Sequence, residues 1–249
     1  GHGTHCAGTI GAEANNGHPH VGVAWKVRLM ACKFLSAGGS GTTSDAVKSI
    51  NWAVANGANV LSNSWGGGGF SQALHDAISN ARDHGVLFVA AAGNNGRNTD
   101  KSPFYPSGYE LDNVISVGAI GQGGKLASFS NYGSKSVDLA APGVSIYSTS
   151  SKSDTEYRKL SGTSMACPHV SGVAALMLAQ NKKIAPVKLK DLLIQSVSPS
   201  VDLKDRLVSG GWINAYNALS LGGPVRKPPS RGPGGNLGGG YRGRRQLTR

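Results

Sequence analysis

Seven apolar residues in a row, Val86-Leu87-Phe88-Val89-Ala90-Ala91-Ala92, stop abruptly at Gly93-Asn94. The run is too short for a buried helix and lacks the alternation of a half-exposed strand, so it reads as a strand covered on both faces. Such a strand needs helices above and below it, and the flanking sequence supplies them. Val47, Ile50 and Val54 give Asp45 to Ala55 an apolar helical face that stops at Gly57, and Leu74, Ile78 and Ala81 mark a second helix ended by Gly85. Between and around them, residues 27–35 (VRLMACKFL), 59–63, 113–119 and 137–142 read as strands, with a further short segment at 127–131. Strands alternating with helices predict an α/β architecture of three layers, a mainly parallel central sheet with helices on both faces. Sites in such sheets gather at the carboxyl ends of the strands. That rule puts Asn94 on one rim with two Gly-rich segments, Gly38-Gly39-Ser40-Gly41 and Ser64-Trp65-Gly66-Gly67-Gly68-Gly69.

A second feature lies further on, in Leu160 to Gly172 (LSGTSMACPHVSG). A loop ends at Gly162-Thr163, and Val170, Val173, Ala174, Leu176 and Met177 follow at helical spacing, so a helix starts at Ser164. Its first turn offers unpaired N–H groups and the positive end of the dipole, which suits a nucleophile whose substrate oxygen becomes negative. Ser164 as a simple N-cap explains the same residues. The chain also opens on Gly1-His2-Gly3-Thr4-His5-Cys6-Ala7-Gly8-Thr9, a histidine heading another small-residue helix, His2 to Gly11. A base, an amide donor and a nucleophile therefore occur in the order His2, Asn94, Ser164.

With HGTHCAGT, AAAGN and GTSMACPH in that order, residues 1 to about 221 resemble the subtilisin-like serine proteases, on the proteinase K and thermitase side of the family. The resemblance implies a subtilisin-like fold and a serine endopeptidase in which Ser164 attacks, His2 is the general base and Asn94 stabilises the oxyanion. Gly39-Ser40-Gly41 and Ser64-Trp65-Gly66 then become walls that receive an extended peptide as an added strand. Ala91-Ala92-Gly93 line the pocket for the residue before the cut bond, and Phe104 makes that pocket shallow. Cys6 lies under the catalytic imidazole. The loop after the first helix, Asn15-Asn16-Gly17-His18-Pro19-His20, binds calcium through Asn16 and loop carbonyls in this family; an ordinary turn explains its residues equally well. In the family the triad's acid precedes the histidine, whereas only Gly1 precedes His2 here. The expectation is a chain lacking its N-terminal part, signal and propeptide, with little activity alone. A catalytically inactive peptide-binding relative is the alternative. Asp138 is expected to be structural.

Charge excludes less than it suggests. The net charge is +12, but seven basic residues and no acidic one lie from Gly223 to Arg249, leaving an excess of five for the rest. The remaining basic residues are scattered among acidic ones, so no nucleic-acid face is expected. Residues 222–249, rich in Gly, Pro and Arg, read as a disordered tail. Three cysteines at spacings unlike a metal site or disulfide framework are expected as free thiols, with Cys32 packed in its strand as a small hydrophobe. No stretch is long and apolar enough to span a membrane. A secreted monomer acting on proteins or peptides is the resulting expectation.

Overall fold

The computed structural model describes residues 1–223; the expected tail beyond Gly223 lies outside them. Among the described residues, eight short strands, six α-helices and one 3-10 helix (Gln122–Gly124) follow one another. A six-stranded sheet contains β1 (Val60–Asn63), β2 (Leu87–Ala91), β3 (Val114–Ile120), β4 (Leu139–Pro142), β7 (Ser198–Pro199) and β8 (Gly211–Trp212). Its order is β1-β2-β3-β4-β8-β7, parallel throughout except for the antiparallel β7–β8 pair. A separate antiparallel pair joins β5 (Ile146–Thr149) to β6 (Tyr157–Leu160). The helices are α1 (His2–Gly11), α2 (Thr43–Ala55), α3 (Gln72–Asp83), α4 (Thr163–Gln180), α5 (Pro186–Gln195) and α6 (Ala215–Gly222).

Every residue of β2 and β3 is buried, and the side chains of β2 divide between two cores. Leu87, Val89 and Ala91 pack with α4, α5 and α6, whereas Phe88 and Ala90 pack with Ile50, Leu74 and Ile78 of α2 and α3. Alternate residues of a strand face opposite sides, so the seven-residue apolar run produces a sheet with a helical layer on each face. α4 lies against β1, β2, β3 and β4 and also against α1 and α6, which explains why its residues are buried almost all round. No helix among the described residues is long and apolar enough to cross a membrane.

The strand expected at 27–35 does not form. Leu29 and Met30 are 49% and 39% exposed, Cys32 is exposed, and among the described residues no strand pairs with this run. An apolar run becomes a strand only when a ladder satisfies its backbone. Cys32 is therefore not a packed hydrophobe. The short segment at 127–131 also forms no strand; its Ser130 and Asn131 are instead buried polar residues of a loop. Gly211–Trp212 pair as β8, and Asn214 caps α6 by accepting from Asn217 N–H. α4 likewise begins at Thr163, one residue before Ser164.

Candidate active site

Ser164 stands in the first turn of α4, and its surroundings follow from a proline four residues on. Pro168 has no N–H to donate to the carbonyl of residue 164, so that oxygen lacks its helical partner. Two outside groups take the place: Ser64 Oγ donates to Ser164 O at 2.8 Å, and Cys6 Sγ at 3.4 Å. In return Ser164 Oγ donates to Ser64 O at 3.3 Å. One backbone oxygen thus ties the head of α4 to the Ser64-Trp65-Gly66 segment and to α1. Cys6 thus reaches the backbone of Ser164, and burial pushes its thiol up to about 12.

Asn94 follows β2 and is held from one side. Its Oδ1 accepts from Thr163 N–H at 2.8 Å and from Thr163 Oγ1 at 2.9 Å. Thr163 Oγ1 in turn accepts from Gly93 N–H at 3.2 Å. A backbone N–H requires an acceptor, so the amide oxygen faces Thr163 and Nδ2 faces away, free to donate on the solvent side. The loop carrying Asn94 is clamped by Asn131, which is 1% exposed. Its Nδ2 donates to Ala92 O at 2.8 Å, and its Oδ1 accepts from Asn95 and Arg97 N–H at 3.0 and 3.1 Å. Sequence reasoning passed over both Thr163 and Asn131. Neither carries a signal in the sequence: Thr163 follows a loop glycine, and Asn131 stands between Ser130 and Tyr132.

His2 heads α1, which packs against α4. It is solvent-accessible, yet the protein around its ring lowers its pKa below the ordinary histidine value by desolvation first, then by His5, the N-terminal amine and Arg158. Its charged neighbours are all cationic, and among the described residues no hydrogen bond joins His2 to Ser164 or to a carboxylate. Asp138 is far from this role: its Oδ2 accepts from Ser116 N–H at 2.7 Å, and Lys190 pairs with it at 3.4 Å. Burial raises its pKa, opposed by Lys190.

The expected walls are distributed unevenly. Trp65 donates from Nε1 to Asn63 Oδ1 at 3.1 Å and meets Phe34 edge-on at 5.0 Å between centroids. Gly39, Ser40 and Gly41 lie on an exposed turn in which Ser36 N–H donates to Ser40 O at 2.8 Å. Ala91 and Ala92 turn their side chains into the core, at 3% and 0% exposure, and Gly93 is itself buried, against the side chains of Asn131 and Phe104.

In the Asn15–His20 loop, Asn16 Oδ1 accepts from His18 N–H at 3.1 Å, and the surrounding residues line a small open cavity. No group of three or more His, Cys, Asp or Glu side chains gathers among the described residues. The loop therefore fits a hard cation only through neutral oxygens, Asn16 Oδ1 and backbone carbonyls.

The Subtilase family profile matches residues 1–217. The chain belongs to the subtilase family. It is 42% identical over 219 residues to a thermophilic serine proteinase of Bacillus sp. (strain AK1), covering 88% of this chain and 52% of that protein. It is also 42% identical to subtilisin DY of Bacillus licheniformis and 41% identical to thermitase of Thermoactinomyces vulgaris, in each case over 88% of this chain and 77% and 75% of the relative. The chain thus spans about half the length of the first relative and about three quarters of the other two. Among solved structures, a cold adapted subtilisin-like serine proteinase superposes with a TM-score of 0.72 at 39% identity, over 84% of this chain and 74% of that one. A protease of Pseudoalteromonas arctica gives 0.80 at 32%, over 89% and 71%. The three-layer fold with its mainly parallel sheet is the subtilisin-like fold.

Proposed function

We propose that this subtilase is a serine endopeptidase, with residues 1 to 221 as its peptidase domain. Ser164 Oγ bonds to the carbonyl carbon of a peptide, His2 takes the serine proton, and the same proton passes to the leaving amine as the C–N bond breaks. Water, deprotonated by His2, then releases the acyl group and regenerates Ser164. Asn94 Nδ2 and the Ser164 N–H receive the oxyanion. The observation that supports this reading best is the clamp on Asn94, because it fixes a donor beside the head of α4 before any substrate arrives. Such preorganisation costs no reorientation during the reaction. Substrates are proteins or peptides in extended conformation, held along Ser64-Trp65-Gly66 and Gly39-Ser40-Gly41. We further propose secretion, action as a monomer, and a structural calcium in the Asn15–His20 loop, held by Asn16 Oδ1 and neighbouring carbonyls. Calcium there would cross-link the loop and take no part in the chemistry.

A second reading, an inactive relative that binds peptides through the same walls, is favoured by one feature. Ser164 Oγ donates to the backbone oxygen of Ser64, and among the described residues no hydrogen bond joins it to His2. A serine hydroxyl without a base to take its proton is a weak nucleophile. Pre-steady-state kinetics with an activated ester separates the readings. A burst of one acyl group per molecule supports the peptidase. Binding of the ester's peptide portion without a burst supports the inactive relative.

A further inference from the structure

Three asparagines among the described residues are followed by glycine: Asn16-Gly17, Asn56-Gly57 and Asn95-Gly96. This dipeptide has a chemistry of its own, because the backbone nitrogen of the glycine can close a succinimide ring onto the side-chain carbonyl carbon of the asparagine before it. No Cβ hinders the approach. In a folded chain the reaction then depends on whether that nitrogen is held by a hydrogen bond.

The three glycines differ in this respect. Gly57 N–H donates to Val54 O at 3.0 Å, and the Asn56 amide is itself held by donating to Trp52 O at 2.8 Å. Gly96 N–H donates to Phe129 O at 2.8 Å, in the loop that Asn131 clamps through Asn95 N–H. Among the described residues nothing accepts the Gly17 N–H. Gly17 is exposed, and a Cβ built on it would meet no atom within 4 Å. The carbon to be attacked is prepared as well. His18 N–H donates to Asn16 Oδ1 at 3.1 Å, so the oxygen that becomes negative during ring closure already has its donor.

We infer that Asn16 is a site of spontaneous modification, losing its amide through Gly17 and leaving a carboxylate in the loop. Hydroxide removes the Gly17 proton, the nitrogen bonds to Asn16 Cγ, and Nδ2 leaves as ammonia with a proton from water. Water then opens the succinimide. Breaking the bond between Gly17 N and Cγ gives aspartate at this position; breaking the one between Gly17 N and the backbone carbonyl carbon gives isoaspartate. Either product adds a negative charge to the Asn15–His20 loop, which has no acidic residue of its own. Charged oxygen ligands tighten the hold on a hard cation, so the aspartate form binds calcium more strongly. That last step alone rests on the calcium reading.

The test incubates the full chain as Ser164→Ala, which cannot digest itself, in mildly alkaline buffer with EGTA, both folded and in urea, and maps the conversion by mass spectrometry. A hydrogen bond that must first break slows such a reaction about fivefold. In the folded chain Asn16 should therefore convert at least about fivefold faster than Asn56 or Asn95, and in urea the three rates should converge. Equal rates in the folded chain overturn the inference, as does a lead for Asn16 that persists undiminished in urea. Calorimetric titration of calcium into Ser164→Ala, with and without Asn16→Asp, reads the consequence: the acidic form should bind about tenfold more tightly. Equal affinities refute that gain. Binding by neither form refutes the calcium reading, while the mass map decides the modification by itself.

Discussion

Thr163 holds Asn94 through one oxygen, donating to Oδ1 from its backbone N–H at 2.8 Å and from its hydroxyl at 2.9 Å. The pair makes the amide a donor of fixed direction. Asn94→Leu should lower kcat by about 10²–10³ with KM little changed, the loss observed when a subtilisin is deprived of such a donor. Thr163→Val keeps the backbone bond and removes the hydroxyl, so its loss of kcat should be smaller. Combining the two should cost little more than Asn94→Leu alone, since Thr163 acts through Asn94. Steady-state kinetics of the three variants checks this; a double variant whose losses simply add would contradict it.

The ionisation of His2 sets the acid limb of activity. Burial is the largest cause of its lowered pKa, followed by His5, the N-terminal amine and Arg158. The neutral imidazole is the base, so a lowered pKa keeps it competent to lower pH. The pH profile of kcat/KM should rise through a midpoint below the ordinary value of 6.5 and stay level above it. Arg158→Met removes one cation and should move the midpoint upward, by less than the whole shift because desolvation remains. A midpoint above the ordinary value in the wild type would contradict the environment described for His2.

Three thiols in three settings give a test of the packing. Cys6 and Cys167 are buried and Cys32 is exposed, with burial raising all three pKa values, that of Cys6 to about 12. Ellman's reagent should find one reactive thiol in the native protein and three after unfolding. Cys32→Ser should abolish the native reaction. Reaction of Cys6 in the folded protein would mean that α1 is not packed on α4 as described.

Calcium in the Asn15–His20 loop should stabilise the fold by mass action, by about 2.7 kcal/mol at a hundredfold excess over Kd. For a protein of this size that corresponds to a Tm shift of several degrees. EGTA should lower Tm, and Asn16→Ala should remove most of the difference. Equal melting with and without EGTA would rule the calcium out.

Much of this was legible in the sequence because period and punctuation coincide. The run from Val86 to Ala92 could be only a doubly covered strand, and β2 is one; His2 to Gly11 reads as a helix and is one. What periodicity cannot carry is pairing. Residues 27–35 have strand composition without a strand, because the ladder that decides the matter is a property of neighbours. Gly211–Trp212 pair as β8 for the same reason, two residues too few to give a pattern. At the site, the residues with chemical side chains were visible and those that aim them were not. Thr163 looks like a loop residue and Asn131 like a turn residue until Asn94 and its loop are seen hanging from them. The freed carbonyl of Ser164 was likewise implicit in Pro168, but its partners, Ser64 and Cys6, lie about 100 and 158 residues away and come together only through the sheet and α1.

A fluorophosphonate probe tests most directly whether Ser164 is the nucleophile. After labelling, mass spectrometry of the digested protein should place the phosphonyl adduct on Ser164 alone, and Ser164→Ala should abolish both the adduct and peptide cleavage while melting like the wild type. An adduct on another residue, or cleavage that survives Ser164→Ala, would contradict it.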